Sequence, residues 1–252
     1  MKYNVWNKYF WGALAAVGLL VVVKSCEPVP ASAFEVEQLP EITQQILLPT
    51  VRIDNNCTGT VIDTEDKIVV LTAKHCMNND VKVGERHNVT YLITVDNGVV
   101  AEITFPLFVS RIAPGDMVLL EGDVDTNLNF QSASVVTQDD LPKLDFGMKV
   151  YCVSFGAARS PVFTEGYLGY VENLEGFGDV QRATCPTIGG SSGSGLFVLI
   201  DGNFKLIGTL TGGWGESFNF YSPAYQLLQF LNGPTPTSEN DPLLDRKAYE
   251  NV

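Results

Sequence analysis

The 252-residue chain is 45% hydrophobic and 10% aromatic, enough apolar material for one large or two modest cores and too much for a disordered polymer. Its 16 basic residues stand against 29 acidic ones, a net charge of −13. No Lys/Arg run occurs that would neutralise a phosphate backbone, which argues against nucleic acid as a partner. At the N-terminus, Lys2 and Lys8 precede an apolar run from Tyr9 to Val23, closed by Lys24-Ser25-Cys26-Glu27. As a helix such a run spans about 22 Å, short of a hydrocarbon core of roughly 30 Å. Residues 1–33 therefore read as a signal peptide, with Ala31-Ser32-Ala33 as the small-x-small cleavage pattern before Phe34. The polar Lys24 and Glu27 and the aromatic Trp6, Tyr9, Phe10 and Trp11 keep an uncleaved signal anchor as the alternative. Lipidation at Cys26 is disfavoured by the charge in Val23-Lys24-Ser25. In each version the bulk of the chain is expected outside the cytoplasm, secreted or periplasmic, or tethered to a membrane only through that segment.

Beyond the leader, Ile42 to Leu48 suits a short helix or an extended arm. From Val51 the pattern changes to short β-branched runs bounded by turn residues: Gly59 to Ile62, Ile68 to Leu71, Val89 to Val95, Val99 to Val109 and Met117 to Leu120. Strands of that length without helical periods between them predict a barrel or sandwich. The polar stretch from Glu121 to Leu144, with Asp139-Asp140-Leu141-Pro142, suits a connection between two β units. A second set follows at Lys149 to Phe155, Val162 to Val171, Leu196 to Ile200 and Leu206 to Leu210. Ala224 to Leu231 is the one convincing amphipathic helix, with Tyr225, Leu228 and Leu231 on one face. A polar tail opens at Gly233-Pro234-Thr235-Pro236. The expected domains are 34–122 (arm and first barrel), 123–145 (connection), 146–232 (second barrel and helix) and 233–252 (tail).

Without Cys26, the remaining Cys57, Cys76, Cys152 and Cys185 form an even set, consistent with two disulfides in an oxidising compartment. There is no Cys-x-x-Cys pair and there are only two histidines, which speaks against a structural zinc site. No cofactor or metal is implied.

Chemistry concentrates in three segments. Gly190-Ser191-Ser192-Gly193-Ser194-Gly195 precedes the apolar strand Leu196-Phe197-Val198-Leu199-Ile200. Glycines around a serine permit left-handed backbone and let amides converge on one point, as acyl transfer requires where charge develops on a carbonyl oxygen. Taken alone, the segment fits a Gly/Ser-rich turn equally well. The second segment is Thr72-Ala73-Lys74-His75-Cys76, a histidine at the end of an apolar strand, with Cys57 upstream. The third is Gly115-Asp116-Met117-Val118-Leu119-Leu120, an aspartate opening an apolar strand. Together they resemble the chymotrypsin-like (trypsin-like) serine protease superfamily in its Thr-Ala-x-His-Cys motif, its Asp-x-Ala-Leu motif (here with Val118 at the alanine) and its Gly-x-Ser-Gly turn. The order His75, Asp116, Ser192 is also the order of that family.

The resemblance implies an all-β fold of two six-stranded antiparallel barrels with a C-terminal α-helix. It implies a serine endopeptidase acting on polypeptide substrates through an acyl-enzyme. His75 would be the general base, Asp116 its orienting partner, Ser192 the nucleophile, and the amides of Gly190 and Ser192 the oxyanion hole. It pairs Cys57 with Cys76, and leaves Cys152 and Cys185 as a second pair by count alone. His87, in Glu85-Arg86-His87-Asn88, reads as a solvated surface residue.

Two departures carry consequences. Where zymogen-type relatives place an aspartate before the nucleophile, this chain has Ser191, and it has no Ile-Val-Gly-Gly start. It thereby resembles the bacterial and viral branches that fold directly into an active form. The position six before the nucleophile, acidic in trypsins, is Pro186, and Leu210 stands where glutamyl endopeptidases carry histidine. With Pro186, Thr187, Leu210, Thr211, Gly212 and Gly213 as the substrate-binding set, cleavage after a neutral residue is expected. The alternative is a catalytically silent, protein-binding relative; an esterase using the same triad is a third reading.

Overall fold

The computed structural model describes residues 45–233, apart from 55, 66, 78–79, 95–99, 124–129, 157–159 and 214–217. The leader, its cleavage site and the polar tail lie outside the described residues. Among the described residues no helix is long and apolar enough to cross a membrane.

Six strands close the first barrel: β1 (Thr50–Ile53), β2 (Cys57–Asp63), β3 (Lys67–Ala73), β4 (Arg86–Thr94), β5 (Val100–Ile112) and β6 (Met117–Asp123). They join in the order β1-β2-β3-β6-β5-β4. The second barrel contains β7 (Lys149–Ser154), β8 (Val162–Leu174), β9 (Gly178–Ala183), β10 (Gly195–Ile200), β11 (Asn203–Gly213) and β12 (Asn219–Tyr221), in the order β10-β11-β12-β9-β8-β7. All pairings between these strands are antiparallel. The expected pair of six-stranded antiparallel barrels is the fold observed. Strands β1, β9 and β12 have no counterpart among the expected runs. β12 is only three residues long and β9, Gly-Asp-Val-Gln-Arg-Ala, is mostly polar, so neither offers an apolar period of useful length.

The alternation of side chains explains why several strands read as nearly continuous apolar runs. In β3, Ile68 and Val70 fill the first barrel, while Leu71 faces a separate core with Met117 and Leu119 of β6. In β7, Val150 and Cys152 point into the second barrel, whereas Tyr151 and Val153 join that separate core, which also takes in Phe197, Leu206, Leu227 and Phe230. Strands with one face in a barrel and the other between barrels have no solvent side. The chain at 130–145 stitches the two together: Ala133 N–H donates to Val61 O at 2.8 Å and Leu206 N–H to Ser134 O at 2.8 Å.

The C-terminal helix α1 (Ala224–Asn232) buries Ala224, Leu227, Leu228 and Phe230. Its buried face is rotated from the expected one: Leu228 belongs to it, while Tyr225 is half-buried, its hydroxyl bonded to Asp179 at 2.5 Å. Residues 45–47 are helical, in keeping with the shorter of the two forms expected for that stretch.

Cys57 and Cys76 form a disulfide. The second expected bridge is corrected: Cys152 and Cys185 are free, buried thiols. Each has another partner. The Cys152 thiol lies 3.1 Å from the Tyr221 hydroxyl, and the Cys185 thiol faces Val150 O at 3.8 Å. Both belong to the apolar interior of the second barrel, and burial pushes the Cys152 thiol well above its ordinary pKa, which keeps it protonated and inert.

Candidate active site

The register of β3 against β6 pairs Ala73 with Met117. One step beyond, Lys74 N–H donates to Asp116 O at 3.2 Å, and β3 runs into a 3₁₀ turn over Lys74–Cys76. That turn presents His75 to the aspartate twice. Its backbone N–H donates to Asp116 Oδ1 at 2.8 Å, and its ring Nδ1 lies 2.6 Å from Asp116 Oδ2. Both carboxylate oxygens are thus occupied by one residue, and the contact fixes Nδ1 as the protonated nitrogen of neutral His75. The hydrogen bond that His75 donates to Asp116 raises the His75 pKa, opposed by desolvation and aided by the aspartate charge.

Ser192 reaches the same end of the first barrel through backbone contacts. Thr58, next to Cys57, donates its N–H to Ser192 O at 2.8 Å and its hydroxyl to Gly190 O at 2.8 Å. The Cys76 sulfur lies 3.6 Å from Ser192 O. Since Cys76 follows His75 and is bonded to Cys57, the disulfide ties the histidine turn to the strand on which the serine loop rests. Gly193 is required there. It has φ +83°, and a Cβ would stand 2.1 Å from Thr58 O and 2.3 Å from Thr72 Oγ1. Gly190 is also left-handed, at φ +94°.

The amides of the serine loop divide into two groups. Ser191 N–H donates to Ile188 O, Gly193 N–H to Leu210 O and Ser194 N–H to Ser191 O. The N–H groups of Gly190 and Ser192 have no acceptor among the described residues. Ser191 is buried, its hydroxyl 2.9 Å from Ser154 Oγ and accepting the Ile188 N–H at 3.2 Å. The residue before Ser192 therefore holds the loop through neutral hydrogen bonds within the folded chain.

A cleft of about 410 Å³ opens beside the histidine, lined by Lys74, His75, Pro114, Gly115, Asp116, Gly176, Phe177 and Thr211. Phe177 comes from the β8–β9 turn. Of the expected substrate-binding set, Thr211 lines this cleft, and Gly212 and Gly213 continue the same strand. Pro186 is exposed, and Thr187 donates its hydroxyl to Asn219 Oδ1 at 2.7 Å. The Leu210 side chain is buried in the second barrel core, and its backbone O accepts the Gly193 N–H. Sequence reasoning missed Lys74, Phe177 and Asn219. Phe177 sits in a glycine-flanked turn whose direction is not legible from the sequence, and no signal pointed to the other two.

His87 is likewise corrected. It is buried, with Nδ1 2.6 Å from Asp54 Oδ2 and Nε2 3.5 Å from Glu85 Oε1. It lies on β4 opposite Leu107 of β5, outside the cleft. Among the described residues no group of three or more His, Cys, Asp and Glu side chains could hold a metal ion.

The profile of the trypsin-like peptidase domain matches residues 57–208, which contain the histidine, aspartate and serine segments. The chain belongs to that family. This trypsin-like peptidase domain, with its two closed barrels, is a member of the chymotrypsin-like serine protease superfamily. No curated protein matches its sequence. Solved structures share its fold. The HtrA-type protease AlgW with a tripeptide superposes with a TM-score of 0.58 at 15% identity, over 75% of this chain and 60% of AlgW. Deg5 gives 0.57 at 14%, over 75% of this chain and 89% of its own. An inactive mutant form of Rv3671c from M. tuberculosis H37Rv gives 0.55 at 17%, over 84% and 98%. The chain thus spans 60% of the length of AlgW.

Proposed function

We propose that the protein is a serine endopeptidase that acts through an acyl-enzyme, with Ser192 as nucleophile, His75 as general base and Asp116 as its orienting partner. The observation that carries this reading is the engagement of both Asp116 oxygens by His75, beside a serine loop braced by the Cys57–Cys76 disulfide. With Nδ1–H donated to Asp116, the other ring nitrogen, Nε2, is the lone-pair nitrogen able to take a proton from a serine hydroxyl.

In this mechanism Ser192 Oγ attacks the scissile carbonyl as its proton passes to His75 Nε2. The resulting imidazolium is stabilised by Asp116, which stays ionised. The carbonyl oxygen becomes an anion, and the unengaged N–H groups of Gly190 and Ser192 are the donors available to it; one such donor is worth about 3 kcal/mol of barrier. The imidazolium then protonates the leaving amine, and water repeats the sequence to release the acyl group.

The neutral contacts of Ser191 with Ser154 and Ile188 support a protease competent as folded, with no new N-terminus needed. Exposed Pro186, together with the Thr187–Asn219 contact, supports a neutral residue before the cut. The Cys57–Cys76 disulfide favours an oxidising compartment outside the cytoplasm. A fluorophosphonate probe tests the reading: the folded protein should be labelled and Ser192→Ala should not. Absence of labelling on folded wild type would favour a protein-binding relative instead.

A further inference from the structure

The cleft beside His75 has a cation in its wall and no free anion to match it. Asp116 is the single carboxylate among its lining residues, and both its oxygens are held by His75. Lys74 is half-buried and forms no ion pair among the described residues. Arg52, Lys67, Lys143, Lys149 and Arg182 pair with carboxylates, whereas Lys74, like Lys82, Arg86 and Lys205, does not among the described residues. What sets Lys74 apart is its place: it is the one Lys or Arg among the lining residues of the cleft. An ammonium lining a cleft without a carboxylate partner attracts an incoming carboxylate.

The lining also includes an apolar ring. Phe177 tops the β8–β9 turn between Gly176 and Gly178, at φ +83° and +74°, with its N–H donated to Leu174 O at 3.0 Å. The ring is 54% exposed, and it approaches Gly212, where a Cβ would meet Phe177 Cε1 at 3.9 Å. An apolar ring and an ammonium lining one cleft match a side chain with a methylene stem and a terminal carboxylate.

We propose that this cleft is a subsite for an acidic side chain, with Lys74 as the cation that selects it and Phe177 as its apolar wall. The proposal rests on the endopeptidase reading. A peptide extended along Thr211 to Gly213 points successive side chains to opposite faces. With the scissile residue turned toward Thr187 and Pro186, the residue before it turns toward His75 and Lys74. The preferred substrate is therefore an acidic segment cut one residue after a glutamate. The net charge of −13 does not oppose this, because carboxylates farther than about 8 Å are largely screened at physiological salt, whereas Lys74 acts within the cleft.

The test uses peptides that differ at that one position, Glu, Gln or Lys. Wild type should show kcat/KM about tenfold higher for Glu than for Gln, with Lys lower still, and the gap should narrow several-fold in high salt. In Lys74→Glu the order of Glu and Lys should reverse. Where that variant fails to fold, Lys74→Met should bring the Glu/Gln ratio to about one. Equal rates for Glu and Gln in wild type, or an unchanged ratio in the Lys74 variants, overturn the subsite. Fluorophosphonate labelling in parallel separates the two readings: labelled protein without a Glu preference sinks the subsite alone, and unlabelled folded protein sinks the endopeptidase and the subsite together.

Discussion

Two histidine–aspartate pairs occur in the first barrel, and their contacts are the same length. His75 Nδ1 to Asp116 Oδ2 and His87 Nδ1 to Asp54 Oδ2 both measure 2.6 Å. What differs is the far side of the ring. The His75 side chain is 44% exposed and lines the cleft, whereas the His87 side chain is 6% exposed, its Nε2 turned toward Glu85. An imidazole oriented by a carboxylate becomes a general base only when its second nitrogen is accessible and a nucleophile stands beside it. The same pair, closed in, ties a β-turn to a strand.

The largest expected effect separates the pairs outright. Ser192→Ala and His75→Ala should each lower kcat by about 10⁶-fold, while His87→Ala should leave labelling and turnover within a few-fold. Comparable losses from His87→Ala and His75→Ala, in a protein that still melts cooperatively, would break the distinction.

Next come the aspartates. Asp116→Asn should cost about 10⁴-fold in kcat with little change in KM, because the ring loses its tautomer. Asp54→Asn should instead cost stability, about 1–3 kcal/mol. For a domain of this size that is a drop of roughly 2–12 °C in Tm, measurable by thermal scanning.

A subtler difference is the pH profile. Asp116 raises the His75 pKa above its ordinary 6.5, and catalysis needs the neutral ring. The rate should therefore rise with pH through a midpoint above 6.5, and Asp116→Asn should move that midpoint down. The contribution to stability has the opposite sign: it is complete below the unfolded value near 6.5 and is lost as pH rises through the folded one. A midpoint at or below 6.5 in wild type would contradict the assigned contact.

The smallest effect concerns the second barrel. Without reductant, Cys152 and Cys185 should resist alkylation in the folded protein and react on unfolding, while Cys57 and Cys76 stay silent. A mass consistent with no reactive thiol at Cys152 or Cys185 would restore the bridge that the structure removes.

Much of the candidate site was legible because each of its residues sits in a short motif of its own. His75 ends an apolar strand, Asp116 opens another, and Ser192 sits among glycines, so each motif carries its own backbone requirement. The resemblance also conveyed the two-barrel architecture, since no single strand specifies closure. Strands β9 and β12 were illegible because burial in a barrel is granted by neighbours rather than by their own composition.

The sequence by itself determined three local motifs, around His75, Asp116 and Ser192, together with a glycine at 193, where a side chain would strike Thr58. The tertiary structure decided which histidine was open and which closed, and whether leftover cysteines met as a bridge or as separate thiols. It also decided that Lys74 lines the cleft beside His75. Those outcomes depend on what packs against each side chain from distant strands, and pairing across a barrel is fixed by register and closure rather than by any one segment.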